Sequence, residues 1–201
     1  AALTIATNMQ YPSWGRMLPS TIHPLGQGEG TLWENWEGDK HKGVGSRNHI
    51  MLGGFDGPFF YGNLAGITNT GLAWSTISIA PTPCGDLTVV DATVSTIRGD
   101  IKVKWARPKA NSVDFILNVS IPSNSIASLK IPILQDGTAS TVDLLEKGVR
   151  VWGGGSGSIP DLVPGIDGTK PGRNAAGKHF DVSIRSGTYE FKVLQSTIEE
   201  D

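Results

Sequence analysis

The 201 residues carry 17 basic and 19 acidic side chains, a formal charge of −2, together with 26 glycines and 12 prolines. That length buries a real core in one domain or two small ones, and the glycine and proline content points to a turn-rich, mostly β molecule. The even balance of charge offers no basic stripe to nucleic acid, and no apolar run reaches the roughly 20 residues a membrane helix needs, so neither nucleic acid nor a membrane is expected as a partner.

In chain order, Ala2, Leu3, Ala6, Met9 and Gln10 fall on one helical stripe, which Pro12 and the Ser13-Trp14-Gly15 turn bring to an end. No charged segment precedes an apolar one here, so no signal peptide is read; starting at Ala1, the chain reads as a processed or truncated piece of something longer. Residues 19–48 read as loop. Phe59, Phe60, Asn63, Leu64 and Ile67 then recur at helical spacing and predict a second helix over 56–67, with Pro58 in its first turn, where a missing N–H is no loss.

From about Leu72 the period changes to two. Leu87 to Asp91, Ile101 to Trp105, Phe115 to Ile121 and Ile126 to Leu134 alternate apolar with polar, with turns at Arg98-Gly99-Asp100 and at Gln135 to Thr138. Residues 153–178 read as a loop, and His179 to Ile184 and Thr188 to Leu194 as a closing pair. Seven or eight short strands with frequent turns predict an antiparallel β-sandwich over 73–201, behind a short helical segment over 1–72. The fold class is mainly β.

The densest chemistry sits in the run Thr31-Leu32-Trp33-Glu34-Asn35-Trp36-Glu37-Gly38-Asp39, followed by Ser46-Arg47-Asn48-His49. Indole faces stack on the C–H faces of a sugar ring, while carboxylate, amide and imidazole hydrogen-bond its hydroxyls. Glycosidases also need two carboxyl groups about the scissile bond. The residues alone leave a plainer alternative open, in which Trp33 and Trp36 fill a core and Glu34 is a charge at a helix start.

Other signals read as structure. Arg98-Gly99-Asp100 sits where a hairpin turn belongs, and the glycine-rich run from Trp152 to Gly157 lacks the Lys-Ser/Thr of a phosphate loop. His23, His41 and His49 fit no familiar ligand spacing. Cys84 is the single cysteine, so it forms neither an internal disulfide nor a cysteine metal site. No cofactor and no metal are expected. Asn118-Val119-Ser120 is a glycosylation acceptor triplet and hints at an extracellular location.

Taken together, Tyr11-Pro12-Ser13-Trp14-Gly15, Thr31 to Trp36, Ser46-Arg47-Asn48-His49 and Leu64-Ala65-Gly66-Ile67 resemble, in order and spacing, the end of the catalytic domain of family 78 α-L-rhamnosidases. Gly85-Asp86-Leu87, Gly99 to Trp105, Asn118 to Pro122 and Ser186 to Phe191 resemble that family's C-terminal β-domain, so the resemblance spans nearly the whole chain. Its most specific element is the Trp-Glu-x-Trp block with the Asn-His that follows. The resemblance implies that residues 1–72 end an (α/α)6 barrel and that the reaction inverts the anomeric configuration. It further implies that Glu34 is the general base activating water, that His49 contacts rhamnose beside Asn48, and that Trp33 and Trp36 wall the sugar pocket. The four site residues Glu34, Trp33, Trp36 and His49 are expected together at an exposed surface.

The departures from the family are specific. Its general acid lies upstream and has no counterpart here, so a preceding segment or a companion polypeptide is the expected partner, alongside a rhamnose-containing glycan. Pro58 and Phe59 stand where the family has an acidic residue and Trp. A non-catalytic glycan-binding or structural protein, and a polysaccharide lyase on a related barrel, are the alternative readings.

Overall fold

Period-two runs can bury one face only if a second layer covers them, and the strands here meet that need with two sheets. The structure is a computed structural model that describes residues 2–22, 24–28, 30–36, 45–49, 51, 54, 57–108, 114–134, 141–153, 163–174 and 177–196. The chain divides into two units, Ala1–Phe59 and Phe60–Asp201.

The second unit holds eleven strands among the described residues: β1 (Ile67–Asn69), β2 (Thr76–Ile79), β3 (Val89–Thr96), β4 (Gly99–Ala106), β5 (Phe115–Ile121), β6 (Ile126–Pro132), β7 (Thr141–Glu146), β8 (Val149–Trp152), β9 (Ile166–Asn174), β10 (Gly177–Ile184) and β11 (Gly187–Ser196). One sheet runs β1-β2-β6-β10-β9 and the other β3-β4-β5-β11-β7-β8. Ile77, Ile79, Leu129, Ile131, Phe180 and Val182 of the first meet Val103, Trp105, Phe115, Leu117 and Phe191 of the second in one buried cluster. The pleat does the sorting: along β4, Ile101, Val103 and Trp105 are buried while Lys102 and Lys104 are exposed. Each such side chain contributes roughly 1.5–3 kcal/mol on leaving water. Trp105 also donates its indole N–H to the Leu64 carbonyl at 2.7 Å and lies tilted against Phe115, with ring centroids 5.7 Å apart.

The mainly β reading therefore stands, with three corrections in detail. First, β2 and β6 are parallel, with Thr76 opposite Ile126 and Ile79 opposite Leu129. The chain leaves β2 to build β3, β4 and β5 in the other sheet and re-enters through the short turn before β6. Second, the helix predicted over 56–67 is a π-helix, Gly57–Leu64, after which the chain turns into β1. Gly66 makes that turn with φ +79°, and a Cβ there would lie 2.2 Å from the Ala80 carbonyl carbon, so only glycine fits. Because β1 already pairs with β2, the second unit starts well ahead of residue 73. Third, the stretch read as a loop over 153–178 contains β9, an edge strand against β10.

The hairpin turn expected at Arg98-Gly99-Asp100 falls on Ile97-Arg98 between β3 and β4, with Gly99 and Asp100 already paired in β4. Arg98 there donates Nε to the Ala73 carbonyl at 2.6 Å and Nη1 to the Asn124 carbonyl at 2.9 Å, so one guanidinium ties three loops at one end of the sandwich. Asn118 is half-buried on β5. The turn expected at Gln135 to Thr138 and the run Gly154 to Gly157 lie outside the described residues.

The first unit has a single short α-helix among its described residues, α1 (Ala2–Thr7), and a 3-10 turn at Gly15–Met17. The expected stripe to Gln10 thus stops early, and loop follows. Backbone hydrogen bonds knit that loop: Gln27 N–H to Arg16 carbonyl at 2.8 Å, Gly28 to Leu18 at 3.1 Å and Gly30 to Met17 at 3.0 Å. The close approach needs glycine, since a Cβ at Gly28 would fall 2.0 Å from the Met17 carbonyl oxygen.

Candidate functional site

The sequence run 31–36 and the run 45–49 come together in the first unit. Glu34 donates its backbone N–H to the Ser46 carbonyl at 2.8 Å, and His49 donates its own to the Leu32 carbonyl at 2.8 Å. The Thr31 hydroxyl donates to the Arg47 carbonyl. These bonds fix two irregular segments side by side, in the manner of a narrow antiparallel pair.

Glu34 then closes the arrangement with its side chain. Its Oε2 accepts the Ser46 backbone N–H at 2.8 Å, and His49 Nδ1 stands 3.9 Å from the same oxygen. The amide contact is a true hydrogen bond. The imidazole is too far for one and acts on the carboxylate through charge when it is protonated. Gly45, at φ +110°, brings the chain in close: a Cβ there would lie 2.5 Å from Asn35 Nδ2 and 3.6 Å from Glu34 Oε2. The Ser46 hydroxyl accepts the Asn48 N–H at 3.1 Å, so the Ser-Arg-Asn turn is held by its own first residue.

Glu34 and His49 keep side-chain exposures of 48% and 31%, and Trp36 is 37% exposed, so three of the expected four residues present themselves to solvent. Asn48 is also exposed. Trp33 is the correction. It is buried at 6% exposure, and its backbone N–H points at the Met17 sulfur at 3.4 Å. Neighbouring residues of an extended stretch face opposite ways, so a Glu34 side chain turned outward sends Trp33 inward. The aromatic offered to solvent is Trp36.

Ser46 and Gly45 were not singled out from sequence as functional, yet their backbone positions the carboxylate. Ser46-Arg47-Asn48, a serine two residues before an asparagine next to glycine, is the only local signal for that turn. Glu37, Asp39, His23 and His41 lie outside the described residues. Among the described residues no group of three or more His, Cys, Asp or Glu side chains gathers as a metal site would require, and no helix is long and apolar enough to cross a membrane.

Comparison with known proteins gives this geometry its context. Residues 66–144 match the family described as bacterial alpha-L-rhamnosidase C-terminal domain. An alpha-L-rhamnosidase of Streptomyces avermitilis is 30% identical over 158 residues, 74% of this chain and 14% of that protein. One of Formosa agariphila is 31% identical over 131 residues, 62% of this chain and 13% of that protein. The chain thus spans about a seventh of the length of these relatives. Among solved structures, an alpha-L-rhamnosidase from Dictyoglumus thermophilum superposes with a TM-score of 0.72 at 27% identity, over 96% of this chain and 18% of that one. The Streptomyces avermitilis enzyme, solved in complex with L-rhamnose, gives 0.63 at 23% identity over 96% of this chain and 16% of that one, a likeness of fold alone.

Proposed function

From a chain that belongs to the α-L-rhamnosidase family as a C-terminal portion of it, we propose that these residues supply the general-base half of a site hydrolysing terminal α-L-rhamnosides with inversion. In that reading the first unit ends an (α/α)6 barrel, the sandwich of the second unit follows it in sequence, and the general acid comes from a preceding segment or companion polypeptide. The observation that carries it is Glu34: an exposed carboxylate with one oxygen pinned by the Ser46 amide and an imidazole 3.9 Å away.

An inverting base deprotonates a water lying between itself and the acid, across a gap of about 6.5–9.5 Å. A carboxylate oxygen held by a backbone amide keeps its aim while the group keeps its charge. Trp36 offers an aromatic face for the sugar ring, and Asn48 and His49 offer donors for its hydroxyls. Trp33, buried, anchors the 31–36 segment from within rather than walling the pocket.

The test is kinetic and uses the complete protein. Glu34→Gln keeps the shape and an acceptor for Ser46 but cannot take a proton from water, so turnover of an aryl α-L-rhamnoside should drop about 10²–10⁴-fold with L-rhamnose binding retained. His49→Ala should raise KM more than it lowers kcat, because it removes a contact made already in the ground state. A Glu34→Gln enzyme keeping more than about a tenth of its turnover rules Glu34 out as the base, since general-base removal costs more than that. Binding of L-rhamnose without any turnover in the complete protein would instead make it a glycan-binding protein.

A further inference from the structure

On the outer face of the five-stranded sheet, strand register builds three rows across β6, β10 and β9. Lys130, Asp181 and Lys170 form the middle row; Pro132, His179 and Gly172 lie on one side of it, and Ser128, Ser183 and Gly168 on the other. These are the positions between the core residues Leu129, Ile131, Phe180 and Val182.

The middle row is a wired cluster. Lys130 Nζ donates to Asp181 Oδ1 at 3.0 Å and stands 3.5 Å from His179 Nε2, which is itself 3.3 Å from the same carboxylate oxygen. His179 is 5% exposed, an uncommon place for a polar ring on an outer sheet face. Gly172 makes room for it: a Cβ there would fall 2.6 Å from His179 Nε2 and 2.7 Å from Asp181 Oδ2.

Two clefts open on either side of this cluster. One of about 470 Å³ is lined by Ser128, Gly168, Thr169, Lys170, Asp181 and Ser183. The other, about 130 Å³, sets Lys130, Lys178 and His179 against Pro81, Pro132 and Leu134. The floor of the larger one is made of small residues, and a Cβ at Gly168 would meet nothing within 4 Å, so the space above it is open. A ridge of long side chains would fill such a face; serines and glycine hollow it.

We propose that this hollow is a second carbohydrate-binding site, specific for a saccharide that bears a carboxylate. Ser128 and Ser183 hydrogen-bond ring hydroxyls over the open floor, Asp181 accepts from a further hydroxyl, and Lys170 takes the sugar's carboxylate. The charges argue for that class of ligand: Lys130 and Lys170 flank one acid, so the row keeps one positive charge beyond what Asp181 offsets. A bare anion such as phosphate would meet the Asp181 carboxylate head-on, whereas a polyol with its charge at one end uses both signs. The site lies in the second unit and shares no residue with the Glu34 cluster. Only the choice of a sugar leans on the function proposed above.

The experiment is an amide NMR titration of the 201-residue chain, which requires no turnover and so stands or falls apart from the catalytic reading. D-Glucuronate should shift the amides of residues 168–170 and 181–183, and D-glucose, which has an alcohol in place of the carboxylate, should bind at least about tenfold more weakly. Inorganic phosphate should leave those amides unmoved. Lys170→Ala should weaken glucuronate binding by about the same factor, and Gly168→Phe, which fills the hollow without touching a charge, should abolish it with the melting temperature kept. Equal binding of glucose and glucuronate, the same shifts from phosphate, or undiminished binding by Gly168→Phe each overturns the proposal.

Discussion

In the second unit a buried side chain is put in place by the pleat, as Trp105, Phe115 and Phe191 are, each at 0% exposure and each two residues from the next core position on its strand. In the first unit, the buried hydrophobics among the described residues are Met17, Trp33 and Phe59, and order comes from backbone bonds between glycine-rich turns. The contrast shows where each kind of precision resides. The sandwich gains stability from area removed from water, which tolerates exposed variation. The Glu34 cluster gains geometry from two backbone pairings and one carboxylate–amide bond, which cost little to break and aim a side chain well.

Breaking the contrast should be hardest at its deepest point. Trp105→Ala removes the largest fully buried side chain and leaves the Leu64 carbonyl without its donor; urea unfolding should show a loss of about 3–5 kcal/mol. Tyr189→Phe comes next. Its hydroxyl faces the Gly165 carbonyl at 3.2 Å and the Arg185 carbonyl at 3.1 Å, and its single proton serves one of them at a time. Equilibrium unfolding should fall by about 0.5–1.5 kcal/mol; no change would mean those carbonyls are satisfied without it.

A smaller effect is expected of Asp181, and it depends on pH. Burial pushes its carboxyl up, but the Lys130 hydrogen bond and the charges of Lys130, His179 and Lys170 together outweigh that and hold it below the ordinary range. The unfolded chain therefore takes up this proton first. The contribution is complete above the unfolded value of about 3.9 and fades as pH falls through the lower folded one. Asp181→Asn should flatten that part of the acid limb in melting curves, and an unaltered limb would show the pair to be thermodynamically idle. The smallest effect belongs to Glu34→Gln, whose amide oxygen still accepts the Ser46 N–H. Its unfolding free energy should stay within about 0.5 kcal/mol of the parent. A larger loss would make Glu34 a structural residue and dissolve the distinction between the two units.

How much of this could be read in advance follows from the same physics. β4, β5 and β6 alternate openly in sequence because each buries one face only. β9 does not: Asp167, Gly168, Pro171 and Gly172 carry no apolar alternation, and as an edge strand it answers to β10 alone. The spacing of Leu64 and Ile67 looks helical, yet Gly66 sits against the Ala80 backbone, a contact 14 residues away that no local pattern records. At the candidate site, Trp33, Glu34, Trp36, Asn48 and His49 stood out by residue type. What stayed hidden was which tryptophan faces inward and which backbone amide holds the carboxylate, because both depend on how 31–36 lies against 45–49.

β11 pairs with β5 on one side and β7 on the other, in the middle of the six-stranded sheet. During synthesis, β3, β4 and β5 can zip up as they emerge, each beside its neighbour in sequence, but the sheet they start has no continuation until residues 187–196 leave the ribosome. A chain without β11 would leave β3-β4-β5 and β7-β8 as two half-sheets with unpaired edges, the kind of surface that invites mispairing with another chain.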